Sequence, residues 1–153
     1  MQTASYAQAV LQLGRTDVPA AVAARLKRQQ LLDEPGRHFQ FVIAERLLRW
    51  EPAPGALAGQ PERLLALVER DAVEVAVLPD AAQPGVLVWH NFVIRRSSRG
   101  QPWVAAELLH GAQEIRAPES VLIYEQTWAK LLAAAARGDE ARKLIRAGIR
   151  SLS

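Results

Sequence analysis

The chain has 153 residues, 50% of them hydrophobic and 23% charged, the size and balance of one folded domain, which excludes disorder and fibrous repeats. It holds no cysteine, so disulfide scaffolds, thiol nucleophiles and cysteine-ligated metal centres are excluded. The net charge of +3 rests mainly on arginines spread among acids, as in Glu45-Arg46, Glu62-Arg63 and Glu69-Arg70-Asp71. That is a mixed, solvated surface and not the basic stripe of a nucleic-acid binder.

The first predicted element is a short helix over Ala4–Leu13, with Thr3 as its cap, Tyr6, Val10 and Leu13 on one face and Gly14 as its stop. A second helix spans Val18–Asp33. Pro19 is tolerated in its first turn, and Val18, Val22, Leu26 and Gln29 form its stripe. Asp33-Glu34-Pro35-Gly36 breaks the chain. His38–Glu45 alternates aromatic and β-branched residues and reads as a strand. Arg46–Trp50 reads as a turn or half-helix, and the residues from Glu51 to Gly55 as a loop.

A third helix covers Gln60–Arg70, with Leu57, Leu64, Leu65 and Val68 at helical spacing. Val73–Leu78 is a second strand, closed by Pro79. Val86–Arg96 and Trp103–Leu109 read as a hairpin around Ser97–Pro102. The next helix starts near Pro118, presents Val121, Tyr124, Trp128, Leu131 and Leu132, and ends at Gly138. Asp139 caps a last helix carrying Leu144, Ile145 and Ile149. The expected architecture is α+β in one domain over residues 1–153. It is a mixed sheet of about four strands, one β-α-β unit plus a hairpin, packed with N- and C-terminal helices.

Candidate chemistry is sparse. His38, His90 and His110 form no metal-binding spacing. If His90 pairs with Leu108, His90 and His110 share a face and Glu107 takes the other, which gives two ligands and no third. No metal and no cofactor is expected. Ser97, Ser98, Ser120, Ser151 and Ser153 stand outside any nucleophile motif, and no glycine-rich phosphate loop occurs. An acid–base reading would use His90, Glu107 and Glu45, the two acids lying at or near strand ends. Trp89, His90 and Trp103 are the candidate ligand-binding residues, since an apolar pocket with a few polar groups takes small molecules. The same tryptophans equally suit a dimer patch, and Trp128 suits a core. Arg95, Arg96 and Arg99 cluster at the hairpin tip and read as solvated. No apolar run spans a bilayer and the first residues do not form a signal peptide, so a cytoplasmic location without membrane contact is expected.

Several stretches together resemble one known family. The run Gln2–Leu11 (QTASYAQAVL) is similar to its Q-T-x-x-Y-A-x-A-x-L opening, and Val22–Gln29 to its V-x-x-R-x-x-R-Q helix. Phe41–Arg49 resembles its strand ending in E-x-x-L-R, and Leu64–Pro79 its helix and strand ending in V-L-P. Ala106-Glu107, Val121–Trp128 and Gly138–Ile145 resemble its C-terminal half. The family comprises domains of unknown function that follow the helix-turn-helix of actinobacterial Xre-type, antitoxin-like transcriptional regulators. The resemblance implies a ligand-sensing, protein-interaction or dimerisation role, and carries over no particular catalytic or binding residue. It implies a homodimer, a possible small-molecule effector or small partner protein, and DNA contact only through a helix-turn-helix missing from this chain. The alternative reading is a stand-alone small enzyme or small-molecule-binding protein of secondary metabolism.

Overall fold

The computed structural model describes residues 1–14, 16–70, 72–97, 100–108 and 111–150. The chain forms two compact units, Met1–Ala82 with Ala135–Ser153, and Gln83–Ala134. Together they hold helices and two small sheets, so the fold is α+β.

The first unit begins with α1 (Ala4–Gln12), where the Thr3 hydroxyl accepts the Tyr6 N–H at 3.2 Å and caps the helix as its chemistry predicts. Its buried face is Tyr6, Ala7, Ala9 and Leu11; Leu13, expected on that face, stands exposed. The helix α2 (Val18–Gln29) is half-buried along its stripe and tightens into a 3-10 turn at Gln30–Asp33. Next comes the β-α-β unit. Strand β1 (Phe39–Ala44) pairs in parallel with β2 (Val73–Leu78), Phe39 opposite Val73 and Ala44 opposite Leu78, with α3 (Gln60–Val68) between them. The turn or half-helix expected over Arg46–Trp50 forms as a 3-10 turn at Glu45–Leu48.

Strand β2 is buried almost throughout, as its largely apolar run requires. Its backbone also meets Ala136: the Val77 N–H donates to the Ala136 carbonyl at 2.9 Å and the Ala136 N–H returns the bond at 2.8 Å. The last helix, here α5 (Gly138–Arg150), packs onto Leu48, Leu64 and Val77 through Ala141 and Ile145. Full burial of a side chain such as Ile145 or Leu67 is worth about 1.5–3 kcal/mol over leaving it in water. Gly138 opens this helix at φ 54° and does not end the one before, which stops at Ala134. Gly148 faces Leu48 so closely that a Cβ there would lie 2.9 Å from the Leu48 Cβ.

The second unit is an antiparallel sheet in the order β3 (Phe92–Ser97), β4 (Gly100–Leu108), β5 (Gly111–Ile115), followed by α4 (Pro118–Ala134). The hairpin and the β-α-β unit both form as expected, but they stand in two sheets and not in one mixed sheet. One boundary moves and one strand is added, each for a physical reason. The strand expected from Val86 begins at Phe92, opposite Ala106; the same register sets Leu108, the last residue of β4, opposite His90 and leaves no β4 residue for Val86–Trp89. The fifth strand, Gly111–Ile115, is not expected from its sequence, since Gly-Ala-Gln-Glu-Ile has no apolar alternation. It forms because β4 presents a free backbone edge, and its polar, exposed residues suit the edge position it takes.

Candidate functional site

The register of the second unit assigns each candidate to a face. Phe92 lies opposite Ala106 and Ile94 opposite Val104, so these share the face on which Val104 and Ala106 are buried. His90 joins that side: its Nε2 lies 2.9 Å from the Tyr124 hydroxyl of α4, and the Tyr124 ring meets Phe92 edge-on at 5.1 Å. Trp103 stands on the opposite face, directly across from Arg95. The Arg95 guanidinium lies 5.1 Å and that of Arg116 4.9 Å from its ring centroid. This is a cation–π cluster on an open sheet face. Trp89 is 84% exposed, Leu87 76% and Val88 46%. The three candidate binding residues thus fall on an inner face, an outer face and a solvent-facing segment.

Of the acid–base candidates, His90 and Glu107 take opposite faces of the same sheet. Glu107 is exposed on the Trp103 face, where the Asn91 amide donates to it at 3.4 Å. Glu45 belongs to the first unit. It accepts the Asp80 backbone N–H at 3.0 Å and the Arg49 guanidinium at 3.2 Å. The Asp80 N–H first, and Arg49 second, hold its carboxyl below the ordinary carboxylate range. A carboxylate stabilised in its charged form is a structural tie and a poor proton donor near neutrality. Leu109 and His110, and with them the face that His110 is expected to share with His90, lie outside the described residues, as does Arg99. Among the described residues no cluster of histidines and acids is placed to hold a metal.

The first unit contains a feature that sequence reasoning missed. A cavity of about 90 Å³ is lined by Tyr6, Ile43, Leu47, Leu57, Gln60 and Leu64, together with the N-terminal residues. An open groove of about 370 Å³ beside it is lined by Arg46, Leu47, Arg49 and Trp50. Leu47 is common to both, and the Tyr6 and Trp50 rings meet edge to face at 6.2 Å. Gln60 is buried in the first turn of α3, and its amide is engaged at both ends. Its Oε1 accepts the Thr3 N–H at 2.8 Å, and its Nε2 donates to the Met1 carbonyl at 3.0 Å. The one signal in the sequence is a glutamine four residues before Leu64, on the apolar side of a helix whose other buried positions are hydrophobic.

The chain matches the domain of unknown function DUF5753 over residues 1–147. It therefore belongs to that family. No curated protein and no solved structure matches it significantly. No helix among the described residues is long and apolar enough to cross a membrane.

Proposed function

We propose that the chain is a non-catalytic interaction and dimerisation module, the effector half of a bacterial helix-turn-helix regulator. The observation that carries this reading is the segment Leu87-Val88-Trp89, three consecutive large apolar side chains turned to solvent. Leaving such a run in water forgoes several kcal/mol of burial free energy, at roughly 25 cal/mol per Å² of apolar surface. Exposed apolar patches with a tryptophan at the centre mark interaction surfaces. The partner proposed is a second copy of the chain, through an isologous interface in which each Trp89 segment meets the other. The regulatory context rests on the sequence resemblance, and membership of a family of unknown function is compatible with it.

The enzyme alternative has less support, because His90 is engaged by Tyr124 while Glu107 takes the other sheet face and Glu45 is tied to Asp80 and Arg49. Light scattering on a size-exclusion column tests the proposal. Twice the chain mass for the wild type, and the single chain mass for Trp89→Ser, support it. A wild type that stays at the single chain mass at high micromolar concentration sinks it.

A further inference from the structure

The cavity of the first unit and the groove beside it have the chemistry of a ligand site. The cavity is lined almost wholly by aliphatic and aromatic side chains, and its 90 Å³ is somewhat over half of the ~150 Å³ that accepts benzene in an apolar protein interior. It holds a short hydrocarbon chain, not a drug-sized molecule. The groove adds the volume for the rest of a small ligand.

Two polar groups belong to this place. Tyr6 is only 5% exposed and lines the cavity, yet its hydroxyl has no hydrogen-bond partner among the described residues. No sealed side-chain polar atom lacks a partner there, so this hydroxyl is open to a small visitor. Burial also raises the Tyr6 pKa, so the group remains a neutral donor throughout the physiological range. At the groove, Arg49 is neutralised by Glu45 and Asp80. The Arg46 guanidinium has no carboxylate partner among the described residues, and it stands beside the apolar surfaces of Leu47 and Trp50.

We propose that the cavity and groove bind one small amphiphilic monocarboxylate, its hydrocarbon tail in the cavity and its carboxylate in the groove on Arg46, with the Tyr6 hydroxyl as a second donor. A carboxylate offers an acceptor to the tyrosine and a charge to the arginine. The tail removes apolar wall from water. This inference does not rest on the interaction-module reading, since it uses neither the second unit nor self-association.

The test is isothermal titration of the whole chain with straight-chain carboxylates from butanoate to dodecanoate. Each added methylene tightens binding about fourfold while the tail is entering the cavity, and the gain stops once the cavity is full. Arg46→Gln weakens octanoate about two- to fivefold and leaves octanol unchanged. Tyr6→Phe weakens octanoate about two- to tenfold. Leu47→Trp, at a half-exposed wall position, abolishes saturable binding, with circular dichroism confirming that each variant is folded. Three results overturn the proposal: no saturable octanoate binding at millimolar concentration, affinity that climbs through dodecanoate without a plateau, or affinity that none of the three substitutions alters.

Discussion

The two units bury their apolar residues very differently. The first packs Leu48, Leu57, Leu67, Val75, Val77 and Ile145 almost completely out of water. In the second, only Val104, Ala106, Val121 and Leu131 are buried among the described residues, while Leu87, Val88, Trp89, Val93, Leu122 and Ile123 are exposed. A parallel β-α-β unit covered by helices uses its apolar residues internally. A three-stranded antiparallel sheet has an open face, and the second unit keeps large apolar side chains in water. The lesson is a division of labour: the first unit supplies stability and a small cavity, and the second carries the apolar surface for which we propose a partner.

Substitutions sharpen that contrast. The largest expected effect is in the first unit, where Ile145→Ala removes a fully buried side chain from the α5 contact with Leu48 and Val77. It should cost about 2–5 kcal/mol by urea unfolding. A cost below about 1 kcal/mol would mean that the first unit is not the stability core. Next is Gly148→Ala. Helix propensity alone favours alanine by about 1 kcal/mol. The Leu48 Cβ at 2.9 Å reverses the sign, and a net loss of about 1–3 kcal/mol is expected.

Acid should act on the first unit through two tied carboxylates. Glu74 is held below its ordinary 4.5, chiefly by the Arg137 hydrogen bond and then by Gln40; Glu45 is lowered by Asp80 and Arg49. A depressed folded pKa means stability that is complete above about 4.5 and is lost as pH falls through the folded value. The urea midpoint should therefore drop below about pH 4.5, and less steeply in Glu74→Gln. Equal slopes in variant and wild type would remove Glu74 from the account. The smallest effect belongs to the second unit. Trp89→Ser, measured in dilute protein, should change stability by no more than about 0.5 kcal/mol. A larger loss would make Trp89 a packing residue after all.

Much of the first unit is legible in the sequence because its signals are local. Thr3 caps a helix, Pro61 opens one, and Val73–Leu78 is a largely apolar strand. What is not legible depends on partners. Val86–Trp89 has strand composition, but a strand needs a backbone opposite it, and in the register of Phe92 with Ala106 the strand β4 ends at Leu108, opposite His90. Gly111–Ile115 has no strand pattern and becomes one because β4 offers an edge. The alternation that separates His90 from Glu107 is readable once Leu108 is set opposite His90. Arg95 reaches Trp103 through the hairpin register, but that Arg116 joins it requires the β5 register, which composition does not contain. The cavity is hidden for a similar reason. Tyr6, Leu47, Leu57 and Gln60 come from separate stretches of chain, and only the buried polar position of Gln60 hints that something other than plain packing occurs there.

The central claim is that the Leu87-Val88-Trp89 segment is covered by a second copy of the chain. The most direct measurement is the indole N–H resonance of Trp89 in ¹⁵N-tryptophan-labelled protein, assigned by its disappearance in Trp89→Phe and followed over a dilution series. The account predicts that this signal moves with concentration along one binding curve, while the Trp50 indole in the first unit stays in place. A Trp89 signal that holds a solvent-exposed position at every concentration would contradict it.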